Sequence, residues 1–266
     1  MAGLSALFSN QNRKEVKPML ALIATAAMLT TPARPTVLIV THTTGYRHSC
    51  IEMSTEILTR ILKDEMDVET AKNGEEVKAK LSPEALKKYS AVIFNSTTGD
   101  IGIPDMTAFL NWVKEGHGFV GIHSAANTCQ PEQMKGDASF MDMLGLNFKG
   151  HGNQCEVVLK LEHPENPAIK PLGGAWKVKD EIYLFHPHRD GSIRNRGTVL
   201  LSLDTHPPDG APEAGQPEDV PLAWVRPYGK GKVFYTALGH REDLWESEKF
   251  QAHVKGGILQ VVNIQQ

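Results

Sequence analysis

Cysteine is scarce in this chain, and the cysteines that it has are far apart. Cys50, Cys129 and Cys155 are its three cysteines in 266 residues. They are too few and too widely spaced to form a disulfide framework or a zinc ribbon. They allow at most one bridge with one remaining thiol, so the cysteine content does not decide the redox compartment.

The chain also lacks an excess of charge of either sign. It has 28 lysines and arginines against 31 aspartates and glutamates, for a formal net charge of −3. Nucleic-acid-binding proteins usually have a basic surface, so we expect no nucleic acid partner. The hydrophobic share of 41% and the charged share of 22% are those of ordinary soluble globular proteins. The length fits one large domain or two small ones.

A hydrophobic run long enough to cross a membrane is missing as well. Residues 19–29 are apolar, but this run is too short for a comfortable transmembrane helix. Basic residues precede it and small residues up to Ala33 follow it, an arrangement typical of a secretory signal. We therefore expect residues 1–33 to be a signal peptide or a disordered leader. A signal peptide implies a periplasmic or secreted protein and a leader a cytoplasmic one, and the mature chain has no membrane span.

From Thr36 onward, buried-strand patterns alternate with amphipathic helices. Continuous apolar runs predict strands at Thr36–Val40, Ala91–Asn95 and Gly118–Ile122, with a shorter strand at 68–71. Apolar residues at helical spacing predict a helix at Ile51–Leu62, and further helices open near Pro83 and Pro104. This alternation predicts an α/β fold, a flavodoxin-like three-layer α/β/α sandwich with a mostly parallel sheet.

The second half of the chain is richer in strands. Short strands linked by turns are predicted at 156–161, 181–185, 198–201, 223–225 and 233–236, and a helix at 249–259 closes the chain. Because no repeat or hinge-like linker is present, we expect residues 34–266 to form a single domain. The Pro-, Asp- and Gly-rich loop 203–222 is a candidate for covering a pocket or meeting a partner, and a homo-oligomer is one possibility.

Candidate site residues come first from the turns after the first and third strands, since ligands of such sheets lie beyond the carboxyl ends of the strands. Tyr46, Arg47 and His48 lie in a turn that leads into a helix N-terminus, which suits anions and sugar hydroxyls. They are equally typical of a capped helix start with solvated polar residues. Thr98 lies in a polar turn after the third strand and is a weaker signal.

The fourth strand ends in Gly121-Ile122-His123-Ser124-Ala125, the layout of a nucleophile elbow. The tip residue is His123, an imidazole suited to general base catalysis or metal ligation. Ser124 follows it and points a different way. A buried structural histidine is the alternative interpretation of His123.

Three further motifs carry candidate groups. His151 lies between Gly150 and Gly152 just before a predicted strand, so the backbone can approach a ligand closely. Asp180 and Glu181 precede another strand, and Asp180 is the more typical of a simple surface carboxylate. His240-Arg241-Glu242 follows the last buried strand.

Taken together, in this order and spacing, these motifs resemble the ThuA-like (trehalose-utilisation) family over residues 36–262. That family is similar in fold to class I glutamine amidotransferases, whose elbow carries a nucleophilic cysteine and whose late His-x-Glu supplies a base and its partner. The late motif remains here as His240-Arg241-Glu242, but the elbow has His123 and no cysteine at its tip. Amide hydrolysis through a thioester is therefore excluded.

The resemblance implies an enzyme of carbohydrate metabolism that acts on a glycoside or a keto-sugar. His123, His240 and Glu181 are then the expected acid–base groups. The expected substrate-binding residues are Tyr46, Arg47, His48, Thr98, Ser124 and Glu242.

A divalent metal such as zinc is a possible cofactor, held by His48, His123 and His151, because three protein ligands and one open position are typical of catalytic zinc. The alternative function is a non-catalytic domain on the same fold that binds a sugar or a partner. The ligand that we expect is a small-molecule carbohydrate.

Overall fold

The structure, a computed structural model, describes residues 34–210 and 219–262. The signal peptide or leader expected at 1–33 lies outside the described residues, as does 211–218 of the loop expected at 203–222. Within the described part of the chain, no helix is both long enough and apolar enough to cross a membrane.

The strands and helices follow one another along the chain with few long connections. The strands are β1 Thr36–Val40, β2 Asp67–Ala71, β3 Ala91–Asn95, β4 Gly118–Ile122, β5 Asn147–His151, β6 Cys155–Leu161, β7 Trp176–Asp180, β8 Tyr183–His186, β9 Thr198–Leu203, β10 Val220–Tyr228 and β11 Gly231–Thr236. The helices are α1 Ile51–Leu62, α2 Gly74–Lys80, α3 Pro83–Leu86, α4 Met106–Lys114, α5 Ser139–Leu144, α6 Glu242–Glu246 and α7 Glu248–Val262.

Nine of these strands form one sheet in the order β2-β1-β3-β4-β11-β10-β9-β6-β7. The first five run parallel, and the order β2-β1-β3-β4-β11 is that of a flavodoxin-like sheet. The predicted α/β fold is therefore confirmed. β3 and β4 are buried over their whole length because helices cover both faces of the sheet.

Aromatic side chains fill the two layers between the sheet and the helices. On one face, Phe94 and Phe119 pack against Phe109 of α4 and Phe140 of α5. On the other face, Phe234 of β11 packs against α7, whose Gly257 lets the helix approach the ring closely. The register explains this division, because Phe234 lies opposite Val120, next to Phe119, and neighbouring residues of a strand point to opposite faces.

The rest of the sheet is antiparallel and extends from β10 to the edge strand β7. β6 and β7 alternate buried and exposed residues, as expected where one sheet face meets water. Separately, β5 and β8 pair into a two-stranded antiparallel ribbon.

One strand of this half was not predicted, and one expectation was wrong. His151 precedes strand β6, as expected, but it also ends β5, an unpredicted strand that pairs with β8. Asp180, for which a surface position was the stronger alternative, ends β7 and is fully buried, because it lies on the inward face of that alternating strand. Its Oδ2 accepts a hydrogen bond from the Gly239 N–H at 2.7 Å.

Candidate functional site

A cavity of about 440 Å³ opens at the carboxyl ends of the parallel strands. The loops after β1, β3, β4 and β11 form one side of it, and the ribbon of β5 and β8 forms the other. Its position is the one expected for ligand sites of open α/β sheets. It is lined by Tyr46, His48, Thr98, Ser124, Asn127, Phe148, His151, Glu181, Tyr183 and His240.

His123 lies at the end of β4 and begins a 3-10 helix, His123–Asn127. Its φ of 49° lies in the left-handed region, which holds the side chain out at the tip of a sharp turn. The imidazole is fully buried, and its Nδ1 lies 2.8 Å from the Ala237 carbonyl oxygen. Since a carbonyl can only accept, Nδ1 carries the proton and Nε2 keeps its lone pair.

That lone pair faces the hydroxyl of Tyr183, which lies 3.0 Å away. Burial raises the pKa of Tyr183 well above its usual value, so the phenol keeps its proton and donates a hydrogen bond to Nε2 of His123. The two rings also pack together, with centroids 4.3 Å apart. The elbow histidine is therefore fixed on both sides.

Glu181 and His240 complete the floor of the cavity. Oε2 of Glu181 lies 3.2 Å from Nδ1 of His240 and 3.5 Å from Nε2 of His123. The hydrogen bond that His240 donates to Glu181 raises the pKa of His240 against the opposing effect of burial. Burial favours a higher pKa for Glu181, but its contacts with His123 and His240 outweigh burial and bring that pKa below its usual value. Glu181 is therefore ionised.

His48 joins this group from the loop after β1. Its ring meets those of His123 and His240 edge-on, at centroid distances of 4.8 and 5.1 Å, and its Nδ1 lies 3.3 Å from the Ser124 hydroxyl. Burial, reinforced by the two neighbouring imidazoles, lowers the pKa of His48 to about 3. The ring is therefore neutral at physiological pH.

Three of these side chains, those of His123, Glu181 and His240, have donor atoms at the spacing of one coordination sphere, and His48 offers a fourth nearby. In a tetrahedral zinc site with metal–nitrogen bonds of about 2.0–2.1 Å, neighbouring ligand atoms lie about 3.3 Å apart. Nε2 of His123 lies 3.3 Å from Nδ1 of His240, close to the two distances from Glu181. One donor atom from each of His48, His123, Glu181 and His240 lies within 4.8 Å of all the others. The donor set fits zinc or a similar divalent ion.

His151, which the sequence suggested as a third ligand, lies beside this group and not within it. Its Nδ1 faces Oε1 of Glu181 at 3.2 Å, the oxygen that points away from His123. The same nitrogen lies 2.9 Å from the Gly152 carbonyl. Its side chain is 37% exposed, so it reaches the open part of the cavity.

The expected substrate-binding residues divide into two sets. Tyr46, Thr98 and Ser124 line the cavity with His48. Arg47 and Glu242 do not. The guanidinium of Arg47 pairs with Glu52 at 2.5 Å, and the carboxylate of Glu242 accepts a hydrogen bond from Ser49.

Sequence reasoning missed three lining residues and one buried carboxylate, namely Tyr183, Phe148, Asn127 and Asp180. Tyr183 was part of a motif that we had singled out for its carboxylates, and a tyrosine two residues after Glu181 was the available signal. Asp180 holds the N–H of Gly239, whose φ of +122° forms the turn that precedes His240. By fixing this turn, Asp180 positions the following residue, His240.

Comparison with known proteins agrees with this fold. A family model described as trehalose utilisation, ThuA, matches residues 36–260. A search of curated protein sequences finds no match to the chain.

Several solved structures are similar to this one. A ThuA-like protein from Bacteroides uniformis aligns with a TM-score of 0.66 and 21% identity, covering 86% of this chain and 91% of that one. A ThuA-like protein from Parabacteroides merdae gives a TM-score of 0.63 and 22% identity, covering 86% and 90%. A β-galactosidase from Rahnella sp. R3 gives 0.53 and 15%, covering 87% of this chain and 32% of that enzyme. At these identities the likeness shows the fold alone, but the family model covers most of the chain, and the chain therefore belongs to the ThuA, or trehalose utilisation, family.

Proposed function

We propose that this protein modifies a carbohydrate by moving protons beside a sugar carbonyl, with a divalent transition-metal ion bound by His48, His123, His240 and Glu181. The observation that carries the proposal is the convergence of three imidazoles and one carboxylate at the floor of a cavity of about 440 Å³. The family description, trehalose utilisation, supports a glycoside or keto-glycoside as the substrate.

Metal ligation needs neutral imidazoles and an ionised carboxylate. His48 and Glu181 meet this requirement, whereas a metal would displace the proton that Glu181 favours on Nδ1 of His240. The bond from Nδ1 of His123 to the Ala237 carbonyl leaves the lone pair on Nε2, and a metal would replace the Tyr183 hydroxyl as the partner of that lone pair. Burial keeps His48 neutral, and the contacts with His123 and His240 keep Glu181 ionised. A bound divalent ion would supply Lewis-acid polarisation of a carbonyl or hydroxyl oxygen of the sugar. In this proposal His123, His240 and Glu181, expected from the sequence to be acid–base groups, act as ligands.

His151 is the group best placed to accept and return a proton. Its Nδ1 faces two acceptors, Oε1 of Glu181 and the carbonyl of Gly152, so Nδ1 carries the ring proton and Nε2 has the lone pair. An imidazole is well suited to general base catalysis near neutral pH. Glu181 therefore connects the two parts of the site, with Oε2 facing the other donors and Oε1 orienting the base.

Two measurements on the purified protein test this function. Elemental analysis is expected to find about one equivalent of zinc, manganese or iron per chain. Assays with keto derivatives of trehalose and of simple glucosides are expected to show turnover. His123→Ala should lose both, whereas His186→Ala, which changes an exposed histidine outside the cavity lining, should keep both.

The two parts of the proposal fail separately. A wild-type protein that is active without metal and does not take up added zinc contradicts the metal site. A wild-type protein that binds sugars and turns over none of them contradicts the chemistry and favours the alternative, a non-catalytic sugar-binding domain.

A further inference from the structure

Five aromatic or imidazole rings form an unbroken row of contacts across the cavity. The ring of Tyr46 contacts His48, and His48 contacts His123, in each case with centroids 4.8 Å apart. His123 packs against Tyr183 at 4.3 Å, and Tyr183 packs against Phe148 at 4.5 Å. The row therefore joins the loop after β1 to the ribbon of β5 and β8.

Exposure along this row describes the shape of the cavity. His123, in the middle, is fully buried, and its neighbours His48 and Tyr183 are 4% and 3% exposed. Tyr46, at one end, is 68% exposed, and Phe148, at the other end, is partly buried. The row is thus deep at its centre, where the proposed metal ligands lie, and rises to the surface at its ends.

Tyr46 is unusual for an exposed residue, because its backbone is firmly held. Its carbonyl oxygen accepts hydrogen bonds from the hydroxyls of Thr43 and Thr98, at 3.2 and 2.9 Å. The N–H groups of Thr44 and Gly45 donate to the Thr98 carbonyl, at 3.0 and 3.4 Å. The loop after β1 is therefore tied to the loop after β3, and it presents an apolar ring to water from a fixed position.

An exposed aromatic ring on a fixed loop, at the mouth of a polar cavity, fits a pyranose ring. One face of a pyranose consists of C–H groups, which stack on an aromatic surface, while its hydroxyls stay in water or bond to polar groups. A cavity of about 440 Å³ lies in the size range of roughly 300–1,000 Å³ that is typical of sites for drug-sized ligands, and a disaccharide is a ligand of that size. The reacting ring and a second ring can therefore be bound together.

We propose that Tyr46 forms a second sugar subsite, so that the substrate is a glycoside of at least two rings and not a free monosaccharide. One ring lies on the floor beside Glu181 and His240, and the other stacks on Tyr46 at the rim. This inference rests on the proposed function for the identity of the floor. The stacking contact itself concerns binding alone.

The test compares two sugars on four proteins by saturation-transfer NMR and titration calorimetry. The sugars are trehalose, which has two glucopyranose rings, and methyl α-glucopyranoside, which has one. The proteins are the wild type, Tyr46→Ala, Tyr46→Phe and Val158→Ala. Val158 is the other large hydrophobic residue exposed in the described part of the chain, lies on β6 outside the cavity lining, and serves as the matched control.

We expect the wild type to bind trehalose more tightly than methyl α-glucopyranoside. Tyr46→Ala should weaken trehalose binding roughly three- to tenfold and leave methyl α-glucopyranoside within twofold. Tyr46→Phe and Val158→Ala should behave as the wild type. Saturation transfer to trehalose should be clear in the wild type and weaker in Tyr46→Ala.

Three results would overturn the subsite. They are equal weakening of both sugars by Tyr46→Ala, unchanged trehalose binding in that variant, or failure of the wild type to bind trehalose at all. These measurements need neither turnover nor metal. They can therefore distinguish a failure of the subsite from a failure of the proposed chemistry. A protein that is inactive on keto-sugars but shows the expected Tyr46 effect retains the second subsite.

Discussion

Oε2 of Glu181 lies 3.2 Å from Nδ1 of His240, and this contact joins two parts of the chain that are distant in sequence. The carboxylate nearer in sequence, Glu242, starts helix α6 and bonds to Ser49 instead. A His-x-Glu sequence is therefore present, but the histidine takes its carboxylate partner from the segment between β7 and β8.

The first prediction compares these two carboxylates. Glu181→Gln removes the charge of a proposed metal ligand and the ionised partner of three imidazoles. We therefore expect at least a 100-fold loss of turnover and at least a tenfold loss of zinc affinity. Glu242→Gln changes only a contact with Ser49, so turnover should stay within twofold. Competitive zinc titration and the keto-sugar assay measure both effects. A larger loss in Glu242→Gln than in Glu181→Gln would show that His240 works with Glu242, its neighbour in sequence.

Ser124 gives the second prediction. Ser124 is only 1% exposed, and its hydroxyl lies 3.3 Å from Nδ1 of His48. When Nδ1–H donates to this hydroxyl, Nε2 keeps the lone pair needed for ligation, as the Ala237 carbonyl does for His123. Ser124→Ala is therefore expected to weaken zinc binding about 10–100-fold, the usual effect of losing such a supporting partner.

Ser202→Ala is the matched control for that experiment. Ser202 is also fully buried and bonds to Glu162 at 2.6 Å, on β9 and outside the cavity lining. It should lose some stability and keep the zinc affinity of the wild type. Equal zinc affinities in Ser124→Ala and the wild type would remove Ser124 from the support of His48.

The parallel half of the fold was predictable because its signals are local. β1, β3 and β4 are apolar except for Thr36 at the start of β1 and Asn95 at the end of β3, and α1 has apolar residues at helical spacing. β5 has no such signal, since its sequence, Asn-Phe-Lys-Gly-His, is partly exposed and pairs only with β8. Its existence depends on a pairing that no local pattern encodes.

The site was predictable to the same extent. The rule that parallel strands end at one edge brought His48, His123 and His240 together, and the structure places them in contact. The choice between Glu181 and His151 as the fourth donor depended on how the ribbon of β5 and β8 lies over that edge. The side chain of Arg47 does not line the cavity, because it pairs with Glu52 of α1.

Arg194 gives a prediction about stability. Its guanidinium bonds to both oxygens of Glu162 at 2.8 and 2.9 Å and to Asp219 at 2.6 and 2.7 Å. The hydrogen bonds from Arg194 lower the pKa of Glu162 below its ordinary 4.5, against burial and with help from Ser202. Because the pKa is lowered in the folded state, this stabilisation is present above about pH 4.5 and is lost as the pH falls further.

Arg194→Met is therefore expected to lower the free energy of unfolding by about 1 kcal/mol at pH 7. Thermal unfolding followed at pH 7 and at pH 3 should show the difference in Tm between variant and wild type shrinking at the lower pH. Lys170→Met, which removes an exposed pair with Glu165, should change stability by less than about 0.5 kcal/mol. A pH-independent deficit in Arg194→Met would mean that packing, not the charge pair, is what was lost.

The last prediction separates the chemical role of His123 from the backbone turn that carries it. His123→Ala and His123→Gly both remove the imidazole, so both should abolish turnover and zinc binding while the chain still folds. They differ in the backbone, because a φ of 49° costs a residue with a Cβ about 1 kcal/mol and costs glycine nothing. His123→Gly should therefore be more stable than His123→Ala by about 1 kcal/mol, or about 2–4 °C in Tm.

The control is Ala125→Gly. Ala125 lies in the same 3-10 helix but outside the left-handed region, so this variant should be less stable than the wild type. Equal stability of the two His123 variants would contradict a strained elbow, and wild-type turnover in either would remove His123 from the mechanism.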